Sequence, residues 1–198
     1  VKAYILAGGT GSRLACNKGL LQVGGVSILE RVIAAAAPLV TETVLVGPAE
    51  QLTQAGLRIV TEAQSGVTGP LGGLCAALAD ASPGDALILP WDAPFLATGA
   101  LQFLVEARGA ADAAVPRRGR YIEPLSAVYA ARCLGPAEEA LQRGDRRVVS
   151  FYSEVAIRWV HPEELSRFGD WETLFFNINT PEDLARAREM AAERGDES

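Results

Sequence analysis

The chain has 198 residues, 49% of them apolar and 21% charged, which describes a folded domain with a substantial core and excludes a disordered chain. A net charge of -6 excludes a general nucleic-acid binder, because a phosphate backbone is held by a positive face. Cys16, Cys75 and Cys133 lie too far apart for a disulfide framework or a zinc knuckle, and the single histidine, His161, rules out a His-rich metal cluster.

Short apolar runs alternate with helical patterns, as in an α/β domain built on a largely parallel sheet. Residues 3–6 read as a buried first strand that enters a glycine-rich segment, 7–13. A helix is expected over 27–37, with Ser27 as N-cap and Pro38 as its stop. Strands follow at 43–46 and 58–61. Gly69-Pro70 opens a helix to residue 81, with proline in the first turn, where no amide donor is needed. A strand at 86–89 ends at Trp91-Asp92, a helix covers 97–107, and another strand lies at 113–115.

Residues 120–123 and 125–129 read as two short strands around a turn, an antiparallel addition to the sheet. Helices are expected near 134–142 and 146–152, and a strand near 156–160. His161 reads as a helix-entry residue ahead of Pro162. Thr180-Pro181-Glu182-Asp183 starts the last helix with a threonine cap, a proline and an acid. The most apolar stretch, 86–105, is interrupted by Pro90, Asp92 and Pro94, so no membrane span is expected and the chain reads as cytoplasmic. The expected fold is a single three-layer α/β/α Rossmann-like domain over 1–192 with a mostly parallel mixed sheet. The polar tail 193–198 is expected to fray.

Leu6-Ala7-Gly8-Gly9-Thr10-Gly11-Ser12-Arg13-Leu14, with Lys18 close behind, is the strongest candidate for chemistry. Glycines at a strand end let backbone amides approach an anion, and Arg13 and Lys18 add positive charge. The spacing fits neither the P-loop nor the dinucleotide fingerprint, whose third glycine is replaced by Leu14. A tight turn that binds nothing is the alternative. Asp92 sits at the carboxyl end of a buried strand, where open sheets hold ligands, and a carboxylate there needs a cation or water. Its alternative role is a helix N-cap ahead of Pro94. Asn177 and Asn179, two apart on an extended segment, point the same way and can face one ligand.

These stretches, Leu6-Ala7-Gly8-Gly9-x-x-Ser12-Arg13-Leu14 and Lys18-Gly19-Leu20-Leu21, resemble the signature of the NTP-transferase superfamily, and within it the molybdenum cofactor guanylyltransferases. Ala15 and Asn17 stand where that family usually has a glycine and an aspartate. The resemblance implies a fold of the nucleotide-diphospho-sugar transferase type and transfer of GMP from GTP to molybdopterin, with Mg2+ as cofactor and pyrophosphate released. It implies a nucleotide site of Leu6, Ala7, Gly8, Gly9, Lys18, Glu62, Gly69, Pro70, Leu71, Gly72 and Asp92. Asp92, Lys18 and Arg13 would be catalytic, and Asp92 and Asn179 would hold the metal. Arg13, Arg147, Asn177 and Asn179 would meet the acceptor.

Glu123-Pro124-Leu125 falls where relatives commonly carry His-Pro-Leu, and Gly47 replaces a frequent asparagine. Proteins that deliver molybdopterin and mature molybdoenzymes are implied partners; nucleic acid and membrane are not. The alternatives are a molybdopterin cytidylyltransferase, a sugar-phosphate nucleotidyltransferase, or a nucleotide-binding relative without turnover.

Overall fold

The computed structural model describes residues 1–7, 18–48, 56–61 and 69–196. Among them an eight-stranded sheet forms the centre. Its strands are β1 (Lys2–Leu6), β4 (Thr43–Val46), β5 (Arg58–Val60), β6 (Asp85–Pro90), β7 (Ala113–Arg118), β8 (Tyr121–Ile122), β9 (Ala127–Ala130) and β10 (Ile157–Val160), in the order β10-β7-β9-β6-β1-β4-β5 with β8 paired to β7. β1 pairs in parallel with both β4 and β6, and β4 with β5. β9 runs antiparallel to both its neighbours, β6 and β7.

Alternation along the strands sends side chains to two cores. Ala3, Ile5, Leu87 and Leu89 face one side, where α1 (Ile28–Ala36) contributes Val32 and α3 (Thr98–Arg108) contributes Leu101 and Leu104. Tyr4, Leu6, Ala86 and Ile88 face the other, against Leu71, Leu74 and Leu78 of α2 (Pro70–Ala81) and Ala137 and Ala140 of α4 (Leu134–Gln142). Helices therefore cover both faces, and the three-layer mixed-sheet expectation holds.

Helix starts follow their local chemistry. Ser27 Oγ accepts from the Glu30 amide at 3.2 Å while the Glu30 carboxylate accepts from the Ser27 amide at 3.0 Å, a closed capping box. Gly69, at φ 118°, turns the chain into Pro70 as expected. Thr180 and Asp183 form a second capping box that starts α7 (Pro181–Glu193). His161 stands as the N-cap of α5 (Pro162–Leu165), as read.

Elsewhere the elements differ from expectation in detail. The two short strands expected at 120–123 and 125–129 are present and antiparallel: β8 pairs with β7, and β9 is inserted in mid-sheet between β6 and β7. All four residues of β9 are buried, as a strand covered on both faces must be, and Pro124 has no amide with which to continue pairing. The helix expected near 146–152 is a 3-10 segment, Val148–Glu154. Its start is tightened by Ser150, whose amide and hydroxyl both donate to the Arg147 carbonyl, at 3.1 and 2.7 Å.

The sequence reading also passed over a hairpin of β2 (Gln22–Val23) and β3 (Val26–Ser27), turned by Gly24 and Gly25 at φ 57° and 74°. In the tail, the Asp196 carboxylate meets Arg31 at 3.1 Å. Within it, the amides of Arg194, Gly195 and Asp196 all donate to carbonyls of α7.

Candidate active site

β1 leads out to β4 and β5 on one side, and the chain then returns to lay β6 on the other side of β1. The reversal of strand order falls between β1 and β6, whose carboxyl ends are in register at Leu6 and Pro90. Open α/β sheets hold ligands at such a point. Asp92 stands two residues beyond β6, at that edge.

A second segment is fastened there. The Ile178 amide donates to the Asp92 carbonyl at 2.9 Å, so residues 177–179 lie alongside the end of β6. Ile178 is fully buried, which turns its neighbours Asn177 and Asn179 away from the core it enters. The Asn179 amide donates to Asp183 Oδ2 at 2.9 Å, so the capping box of α7 also fixes the asparagine.

Lys18 joins the two segments. Its Nζ donates to Asn179 Oδ1 at 2.8 Å and to Asp92 Oδ2 at 3.4 Å. Its side chain is only 8% exposed and that of Asp92 17%. The approach depends on Gly19: a Cβ there would stand 3.0 Å from Trp91 Cε3 and 3.3 Å from Leu29 Cβ. Burial raises the Asp92 carboxyl above its usual range, and the charge and hydrogen bond of Lys18 pull it partly back.

Asp92, Asn177 and Asn179 line a cavity of about 270 Å³ with Pro90, Glu123, Pro124, Leu125 and Ser126. One carboxylate and one amide oxygen are thus already gathered round a cation, the Lys18 ammonium. Two hard oxygen donors suit magnesium, which takes one or two protein carboxylates at most and completes its shell with phosphate oxygens and water. Among the described residues no cluster of three or more His, Cys, Asp or Glu side chains fits a metal. An ion here would complete its shell with phosphate oxygens and water.

The other predicted residues divide. Leu6 and Ala7 are buried with side chains in opposite cores, so any contact they make with a nucleotide is through the backbone. The same holds for Leu71, which is fully buried, while Gly72 is buried and Pro70 exposed at the start of α2. Gly8, Gly9, Arg13 and Glu62 lie outside the described residues. Arg147 is not brought to the cluster: its side chain is 76% exposed, is held by Asp145 at 2.7 Å, and lines neither this cavity nor the neighbouring one.

The sequence reading missed that neighbour, a groove of about 260 Å³ lined by Arg118, Tyr121, Trp171, Phe175, Phe176 and Arg186 among others. The exposed aromatic Tyr121 beside three arginines, Arg117, Arg118 and Arg120, was the available signal.

Burial pushes the Glu123 carboxyl up to about 7, with the charge of Arg118 partly offsetting it. A carboxyl whose folded pKa exceeds its unfolded value of about 4.3 favours folding below that value, and the benefit is lost as pH rises through about 7. Glu123→Gln is therefore expected to melt a few degrees above the unaltered chain at about pH 9 and level with it at about pH 4, with a difference of at most about 3 kcal/mol. Equal melting temperatures at both pH values would show that the carboxyl is not held in its neutral form.

The MobA-like NTP transferase domain matches residues 3–156. A probable molybdenum cofactor guanylyltransferase of Pelotomaculum thermopropionicum is 37% identical over 94% of this chain and 91% of its own length. The molybdenum cofactor guanylyltransferase of Vibrio cholerae is 30% identical over 92% and 88%. The crystal structure of molybdopterin-guanine dinucleotide biosynthesis protein A from Archaeoglobus fulgidus superposes with a TM-score of 0.83 at 29% identity, covering 98% of this chain and all of that one. A nucleotidyltransferase fold thus carries the cluster at its sheet edge. The chain belongs to the MobA-like NTP transferase family, and its curated relatives are molybdenum cofactor guanylyltransferases.

Proposed function

We propose that the chain transfers GMP from GTP to molybdopterin, forming the guanine dinucleotide cofactor and releasing pyrophosphate. The observation that carries this reading is the contact of one buried ammonium, Lys18 Nζ, with both Asp92 and Asn179, in a fold shared with guanylyltransferases. A terminal phosphate oxygen of molybdopterin attacks the α-phosphorus in line. The new P–O bond forms as the bond to the bridging oxygen of the β-phosphate breaks, and the electron pair leaves with pyrophosphate.

Such a transfer needs alignment and charge neutralisation rather than a covalent nucleophile. Magnesium, held by the Asp92 carboxylate and Asn179 Oδ1, would neutralise charge at the α-phosphate and the incoming oxygen. Lys18 sets a fixed positive charge at the same edge, and with Arg13 and the amides of residues 8–12 it holds the departing phosphates. Asn177 meets the acceptor. Gly69 to Gly72 and Glu62 contact the nucleotide, and glycine admits a purine edge to the backbone. The reaction takes place in the cytoplasm in this reading. Proteins that supply molybdopterin and receive the dinucleotide are its partners.

Pyrophosphate release should be measured with ATP, CTP, GTP and UTP in turn, with molybdopterin as acceptor and magnesium present or chelated. Release with GTP at least about tenfold faster than with CTP, and abolished by chelation, is expected. Preference for CTP would make the chain a cytidylyltransferase, and turnover without a divalent ion would remove the metal role of Asp92 and Asn179.

A further inference from the structure

Two cavities meet at the carboxyl edge of the sheet, one holding Asp92 and Asn179 and the other lined by Arg118, Tyr121, Trp171 and Arg186. Glu123 and Asn177 are the residues they share, so these two side chains form the sill between them. Asn177 Oδ1 presents an oxygen acceptor, and so does the Glu123 carboxyl, which is acceptor-only when ionised. Asn177 Oδ1 is buried with no hydrogen-bond partner, while its Nδ2 is engaged by the Phe175 carbonyl at 3.2 Å. No described residue donates a hydrogen bond to the Glu123 carboxylate, and the charge that acts on it is that of Arg118. A buried acceptor left unpaired costs about 1–3 kcal/mol, so Asn177 Oδ1, with the half-buried Glu123 carboxylate beside it, calls for a ligand that donates.

We propose that Glu123 is a specificity-determining residue which, with Asn177 Oδ1, accepts hydrogen bonds from the N–H edge of the acceptor's ring system. This rests on molybdopterin being the acceptor. The aminopyrimidinone edge of a pterin carries a ring N–H and an exocyclic amino group side by side, two donors for two acceptors. The phosphate of that substrate has to reach Asp92, so its ring lies on the far side of the sill. There the groove offers flat aromatic walls and cations, with Arg118 5.7 Å from the centre of Trp171 and Arg186 5.4 Å from that of Phe176. The loop is braced from below: the Tyr129 hydroxyl donates to the Pro124 carbonyl at 2.8 Å and meets that of Tyr152 at 2.5 Å.

Glu123→Gln keeps the size of the side chain but replaces one of its two acceptor oxygens with a donor. In the GTP-dependent reaction its KM for molybdopterin is expected to rise at least about tenfold, with KM for GTP within about twofold of the unaltered value. A second readout needs no turnover. Quenching of tryptophan fluorescence should show the unaltered protein binding 6-carboxypterin at least about tenfold more tightly than 6-carboxylumazine, which has an oxygen in place of the amino group. Glu123→Gln should bind the two alike.

An unchanged KM for molybdopterin in Glu123→Gln overturns the assignment of Glu123 while leaving guanylyl transfer intact. Equal affinity of the unaltered protein for the two pteridines overturns it likewise. Failure of the unaltered protein to use molybdopterin at all overturns the proposed function instead.

Discussion

Asp92→Ala is expected to lower the rate of GMP transfer at least about a hundredfold, roughly 3 kcal/mol of transition-state stabilisation, while the protein stays folded. The carboxylate is one of two oxygens gathered at the sheet edge, and with Asn179 it makes up the proposed metal donor set. Its removal leaves phosphate charge unneutralised in a site where the aspartate is only 17% exposed. The fold survives because the bond that fastens residues 177–179 to β6 uses the Asp92 backbone carbonyl, which alanine retains. The change also removes a carboxylate that burial disfavours. Steady-state pyrophosphate release paired with a thermal melt checks both halves, and near-native turnover would take Asp92 out of the catalytic set.

Lys18→Ala should cost at least as much. The side chain lies in a socket shaped by Gly19 against Trp91, and its Nζ reaches Asp92 and Asn179 together. Alanine deletes the positive charge and the hydrogen bonds it makes to Asn179 Oδ1 and Asp92 Oδ2. A loss of at least about a hundredfold in kcat/KM for GTP is expected. Lys18→Arg should recover only part of it, because a planar guanidinium does not replace a compact ammonium in a socket this closely packed. Full recovery by arginine would show that the charge matters and its position does not.

What could be read from the sequence was decided by local chemistry. Ser27, Gly69-Pro70 and Thr180 start their helices as expected because a cap is a matter of three or four consecutive residues. Asp92 was legible as a carboxylate at a strand end, and Asn177 and Asn179 as a pair on an extended segment. The first follows from the continuous apolar run 86–89 that ends just before it, the second from period-2 geometry.

The order of strands was not legible, since Ala127–Ala130 goes to mid-sheet through partners far away in the chain. The β2–β3 hairpin was missed because two-residue strands carry no alternation, although Gly24-Gly25 was a turn signal in plain sight. For Lys18, proximity to a phosphate loop pointed to anion binding, but its bridge to residues 74 and 161 positions away is a tertiary fact. Resemblance supplied roles for Glu62 and Arg147 that spacing did not. The structure leaves Arg147 at the surface with Asp145.

A crystal grown with a non-hydrolysable GTP analogue and Mn2+, read by anomalous scattering, addresses the shared ion directly. One peak about 2.1 Å from both the Asp92 carboxylate and Asn179 Oδ1, and bonded to a phosphate oxygen of the analogue, is the predicted result. Bound nucleotide with the manganese peak away from either side chain would contradict it.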